Sequence, residues 1–130
     1  MALNVEIVTP TAVVFAGTVD EVKAPGFLGE FGVLPGHTPF LSVVTPGVVE
    51  LITAGKVEKF VVGRGFVEAG PDRLTVLADS VEPAEGVDQK AAAELLETSE
   101  KLLASEAPGS DAYIMAKRDA ELAHARLQLS

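Results

Sequence analysis

With 130 residues, a formal net charge of −9 and no cysteine, the chain has room for one ordinary domain, or a small one with an appendage. A disulfide framework and a thiolate metal site are excluded. Lys and Arg are scattered singly apart from Lys117-Arg118, which argues against nucleic acid and gives no attraction to anionic lipid headgroups.

Hydrophobic residues make up 48% of the chain but aromatics are few, so Val, Ala and Leu must fill the core. The start, Met1 to Glu6, lacks a charged region followed by an apolar stretch, so no secretory signal is expected. No window approaches the roughly 18 apolar residues of a membrane span. The chain is expected to be soluble by itself and to reach a membrane only through a protein partner.

Leu3-Asn4-Val5-Glu6-Ile7 alternates with period two and predicts a strand. Val19 to Ala24 predicts another, interrupted by the adjacent charges Asp20 and Glu21. The segment 29–47 then concentrates Gly and Pro among large apolar residues. Gly permits positive φ or close backbone approach, and Pro fixes φ while removing a donor. With Phe31, Val33, Leu34, Phe40 and Leu41 it reads as a buried, sharply folded connection between strands. Val48–Ile52, Ala54-Gly55 and Val57–Val62 predict a hairpin, as do Phe66–Ala69, Gly70-Pro71-Asp72 and Leu74–Ala78. Short strands with regular turn signals predict an antiparallel sandwich or barrel.

The pattern changes at residues 82–86. Asp88 is the expected N-cap of a helix. Ala91, Ala92, Leu95, Leu96, Leu102 and Leu103 then fall on one helix face, with Glu97 and Lys101 paired on the other. Pro108-Gly109 ends this helix, and Ser110 or Asp111 caps a second. That helix has two apolar stripes: Ala112, Tyr113, Ala116, Ala120, Ala123 and Leu127, then Met115, Leu122 and Leu129. It can pack against two things, together in one static core or in turn. Helices this short are marginal alone, so the hairpin must dock on something. The fold class is α+β: an antiparallel β-sandwich over 1–84, then a two-helix antiparallel hairpin over 85–130.

No enzyme constellation emerges. His37 and His124 lie in different halves without a metal-ligand spacing, no cysteine nucleophile exists, and Gly63-Arg64-Gly65 is not a phosphate loop. No metal and no cofactor is expected. A sugar- or metabolite-binding domain normally offers aromatic platforms, yet Trp is absent and Tyr113 is the one tyrosine. A small hydrolase is opposed by the missing nucleophile and base.

Thirteen positions in fixed register, Gly29 to Leu41, resemble the epsilon subunit of the rotary F-type ATP synthase, a family in which G-E-[LF]-G-x-x-P-G-H-x-P-[FL]-L recurs. Asn4–Pro10 is similar to the family's opening strand, and Gly65–Glu68 with Leu74–Asp79 to its late hairpin. The resemblance covers nearly the whole chain and implies a non-catalytic central-stalk subunit of the bacterial type. Its sandwich would bind the gamma subunit and the membrane c-ring, coupling proton-driven rotation to ATP synthesis. It would sit peripherally on the cytoplasmic face of the plasma membrane.

The resemblance implies a c-ring-facing turn within Gly26–Gly32, comprising Gly29, Glu30, Phe31 and Gly32, with Glu30 at its tip. Pro35, Gly36 and His37 would be a gamma contact or a structural brace. The hairpin would lie folded on the sandwich, or extend into the catalytic hexamer and block hydrolysis. Lys117, Arg118 and Arg126 would then meet the alpha and beta subunits. Many bacterial members carry [IL]-D-x-x-R-A, associated with ATP binding; here Asp88 stays but Ala91 replaces the arginine. ATP binding is therefore expected to be weak or absent.

Overall fold

A computed structural model describes residues 2–129. In chain order it contains β1 (Leu3–Thr9), β2 (Ala12–Val19), β3 (Glu21–Gly26), β4 (Gly29–Val33), β5 (Phe40–Val44), β6 (Gly47–Thr53), β7 (Lys56–Val62), β8 (Gly65–Ala69), β9 (Arg73–Ala78) and β10 (Val81–Pro83). A short 3₁₀ turn, Ala84–Gly86, leads into α1 (Gln89–Ser105) and α2 (Asp111–Leu127). The α+β class and the sandwich-then-hairpin order are as the sequence predicts.

The strands run in the order β10-β7-β6-β3-β5-β8-β9-β1-β2, with β4 also paired to β3. Between β3 and β5 the ladder narrows to the single pair Gly26–Val44, so two half-sheets meet there. They fold face to face, bringing the Phe15 ring of β2 edge-on to Phe60 of β7 at 5.8 Å. Leu3, Val5, Ile7, Val22, Leu51, Phe60, Val62, Val67, Leu74 and Val76 fill the space between them. One pairing departs from the antiparallel expectation: β1 lies parallel to β9. The chain reaches β9 only after building the opposite half-sheet, so β1 is inserted between β9 and β2 from a distance.

Val19 and Glu21 belong to different strands, because Asp20 turns the chain and its Oδ2 accepts from the Ala54 N–H at 2.8 Å. The segment 29–47 also departs from expectation. It forms β4, a loop and β5, and Leu34 and Leu41 are exposed while Val33 and Val44 are buried. Strand alternation, which sends successive side chains to opposite faces, divides what composition alone suggested was buried.

Asp88 caps α1 by accepting from the Ala91 N–H at 3.1 Å, and Ser110 caps α2 by accepting from Tyr113 N–H at 3.2 Å. Glu97 and Lys101 pair at 3.3 Å. The helices pack on each other through buried Ala92, Ser99, Ala116, Ala120 and Ala123. The Ser99 hydroxyl is satisfied inside this seam by donating to the Leu95 carbonyl at 2.7 Å. Small residues let the helices approach closely.

Candidate functional site

The outer face of five adjacent strands carries an apolar row. Register places Val43 opposite Phe66, Phe66 opposite Leu77, Leu77 beside Val8 and Val8 opposite Val13. Phe66 is 53% exposed and Val13 63% exposed, with Val43 and Leu77 also open to solvent. The neighbouring level of the same face is polar across β8, β9 and β1, with Glu68 opposite Thr75 and Thr75 beside Glu6, while exposed Leu41 opposite Glu68 extends the apolar surface on β5. An apolar centre with a polar rim is the anatomy of a protein contact. Sequence reading missed this row. Its signal was the run of consecutive apolar pairs, Val43-Val44, Phe66-Val67 and Leu77-Ala78, which makes a strand apolar on both faces.

A second surface lies at the β3–β4 turn. Gly26 pairs with Gly29, leaving Phe27 and Leu28 as a two-residue tip, 82% and 97% exposed. Gly29 has φ 117°, a left-handed conformation that L side chains rarely adopt, which explains glycine there. Glu30 is not the tip: it is exposed on β4 opposite Pro25. Phe31 turns its ring edge-on to Phe40 at 5.9 Å, and Gly32 lies opposite Lys23.

Pro35, Gly36 and His37 form the neighbouring loop. Gly36 N–H donates to the Pro71 carbonyl at 2.5 Å, tying the loop to the β8–β9 turn. His37 is exposed; its Nδ1 lies 2.7 Å from the Thr38 carbonyl oxygen and its ring packs edge-on against Phe40 at 4.9 Å. Gly29, Glu30, Phe31, Gly32 and His37 line one shallow hollow of about 510 Å³ with Phe27 and Leu28. The structure therefore brings the turn and His37 together.

The third element is the dock between α2 and the sandwich. Arg64, in the β7–β8 connection, donates to Glu121 through Nε at 3.0 Å and through Nη2. Glu121 holds the Arg64 guanidinium above the ordinary arginine range, first by this hydrogen bond and then by its charge. In the opposite polarity, Arg126 of α2 donates from Nε to Glu82 of β10 at 2.5 Å. Arg126, Lys117 and Arg118 thus do not form one patch. Arg126 is half-buried in its ion pair, whereas Lys117 and Arg118 are exposed along α2. Arg64, Glu82 and Glu121 are contacts that sequence reading missed, because each partner lies many residues away.

The two pairs identify which side of α2 faces the sheet. At about 100° per residue, Leu122 and Ala125 fall in the arc between Glu121 and Arg126. Ala116, Ala120 and Ala123 fall opposite, toward α1. The alanine stripe is therefore engaged with α1 and Leu122 of the second stripe turns toward the sheet, while Met115 of that stripe stays exposed. Asp88 is committed to capping, Ala91 is exposed, and the Gln89 side-chain amide donates to the Arg126 carbonyl at 2.8 Å. Among the described residues there is no cluster of three metal-type ligands, and no helix is long and apolar enough to cross a membrane.

Residues 2–84 match the family model described as ATP synthase, Delta/Epsilon chain, beta-sandwich domain. An ATP synthase epsilon chain of Myxococcus xanthus is 50% identical over 90 residues, which are 69% of this chain and 66% of that protein. One from Moorella thermoacetica is 39% identical over 129 residues, 98% of this chain and 94% of that one. Among solved structures, the fold matches a chain in Euglena gracilis mitochondrial ATP synthase (OSCP/F1/c-ring, rotational state 1) with TM-score 0.83 and 21% identity, over 98% of this chain and 80% of that one. It also matches a chain of the Tetrahymena thermophila mitochondrial ATP synthase central stalk and c-ring with TM-score 0.65 and 14% identity, over 99% and 96%.

Proposed function

Because the chain belongs to the ATP synthase epsilon-chain family, we propose that it is a non-catalytic central-stalk subunit coupling proton-driven rotation to ATP synthesis. The observation carrying this reading is the apolar row Val43–Phe66–Leu77–Val8–Val13, which we assign to the gamma subunit. The β3–β4 turn, with Gly29, Glu30, Phe31 and Gly32 beside its exposed Phe27-Leu28 tip, meets the c-ring. His37 braces that turn through Phe40, while Gly36 ties its loop to the β8–β9 turn through Pro71. Through these partners the chain sits peripherally on the cytoplasmic face of a bacterial plasma membrane. The hairpin inhibits ATP hydrolysis when it leaves the sandwich, and Lys117, Arg118 and the freed Arg126 then meet the alpha and beta subunits.

Titration of the isolated chain with purified gamma subunit tests the assignment. Phe66→Glu places a carboxylate in the middle of the row, and an unpaired charge buried at an interface costs several kcal/mol. Affinity for gamma should fall at least about 100-fold, with the melting temperature of the free chain nearly unchanged because Phe66 is exposed. Glu30→Lys should bind gamma as wild type but lower ATP-driven proton pumping in reconstituted vesicles. Wild-type affinity in a folded Phe66→Glu variant would remove gamma from this face.

We also propose that the chain lacks a functional ATP site. Ala91 carries no charge, Arg126 is neutralised by Glu82, and Asp88 is used as a cap. One hydrogen bond to a charged group contributes on the order of 1.5–3 kcal/mol, so its loss weakens binding roughly ten- to a hundredfold. Calorimetry with ATP should show no micromolar binding, and Ala91→Arg should increase affinity. A micromolar dissociation constant in the wild type would refute this.

A further inference from the structure

The hairpin contributes nothing to the sandwich core: all its buried alanines lie outside the cluster formed by β1 to β9. It rests instead on the outer face of the half-sheet holding β6 and β7. There Val61 is fully buried although it points away from the core, and it pairs with Val48. From α2, Leu122 and Ala125 fall on the arc between the two ion pairs, and Ala125 is buried there. At the two margins of this strip stand the ion pairs Arg64–Glu121 and Glu82–Arg126. Their polarity is reciprocal, since the sandwich supplies the cation at one margin and the anion at the other. Both remain partly solvated, with the Arg64 side chain 55% exposed, so salt and water compete with them.

We infer that these two pairs form an electrostatic clamp that sets how much of the hairpin is docked, making its release responsive to local charge and ionic strength. This deepens the reading of the hairpin as a movable regulator and rests on it. Arg64 and Glu121 also line a hollow of about 550 Å³ together with Phe27, Val43 and Phe66. The clamp thus borders the apolar row, and a partner seated on that row shields the Arg64–Glu121 pair from water.

The chain has no native cysteine, so spin labels can be placed on the full-length protein at Lys56→Cys on the sandwich and Glu94→Cys on α1, both exposed and outside the clamp. Electron-electron distance measurements should give one dominant short distance in the parent. Exposed ion pairs each have modest effects, so Arg64→Gln or Glu121→Gln should raise the longer-distance population roughly two- to fivefold. Glu82→Gln should do the same, and moving from low to molar salt should raise it in the parent. The exchange Arg64→Glu with Glu121→Arg should restore the parent distribution.

Unchanged distances in all single variants and at all salt concentrations would overturn the clamp. So would failure of the exchange variant to restore docking while it still melts as the parent does. Hydrolysis by the assembled enzyme separates the two levels of the argument. Clamp-breaking variants should slow it severalfold by favouring the extended hairpin. Released hairpins with unchanged hydrolysis would uphold the clamp and remove the inhibitory role.

Discussion

Gly65→Ala is expected to unfold the chain more effectively than any exposed substitution. A Cβ built on Gly65 would stand 1.8 Å from the Leu77 carbonyl oxygen and 2.7 Å from the Ala78 Cα. Both obstacles are backbone atoms of β9, which cannot rotate aside. Gly65 opens β8 directly opposite Ala78, so relief requires β8 and β9 to part. These strands carry the buried Val67, Leu74 and Val76. Overpacking in a rigid core costs about 1–3 kcal/mol and sometimes more; with backbone as the obstacle, we expect about 3 kcal/mol or more. For a chain of this size that is a fall in melting temperature on the order of 10 °C. Gly86→Ala is the control, because nothing lies within 4 Å of the added carbon. Circular dichroism melts that place Gly65→Ala within a degree or two of wild type would show that β8 and β9 are looser than described.

The same glycine illustrates what was legible in the sequence. Gly63-Arg64-Gly65 was readable only as something it is not, a phosphate loop. Its purpose depends on β9 passing close by and on α2 arriving 57 residues later with Glu121. Local signals are legible: the Ala54-Gly55 and Gly70–Asp72 turns, the Asp88 cap, the Glu97–Lys101 pair and the helix break at Pro108-Gly109 are all where the sequence predicts them. The Gly29–Leu41 register pointed to the family.

Non-local features were not readable. β2 was missed because Ala12–Val19 shows no strict alternation. The parallel β1–β9 pair joins distant segments, and periodicity carries no information about which strands become neighbours. The apolar pairs Val43-Val44, Phe66-Val67 and Leu77-Ala78 mark strands apolar on both faces, but for the same reason their lining up as one row appears only once five registers are aligned. The family resemblance implies Glu30 as the tip, but the Gly26–Gly29 pairing gives the tip to Phe27 and Leu28.

Truncation after Glu85 is expected to yield a folded β-protein that still binds gamma. Every large residue of the core cluster precedes Val81, and β10 is retained with its pairing to β7. Removing the helices uncovers Val61 and Val48 on the outer face. Losing the burial of Val61 costs about 1.5–3 kcal/mol and that of half-buried Val48 less, and some of that is offset because the hairpin no longer has to be ordered. Arg64 and Glu82 lose their partners at a partly solvated margin, so water replaces them at little cost. In the assembled enzyme the fragment should support ATP synthesis and release hydrolysis by severalfold, since no hairpin remains to extend. That sign is opposite to the one expected for Arg64→Gln, which frees the hairpin instead of deleting it. An insoluble fragment would refute independent folding of 1–84. Equal hydrolysis by the truncated and intact enzymes would refute inhibition by the hairpin, and faster hydrolysis in both variants would show that the docked hairpin, not the extended one, is the inhibitory form.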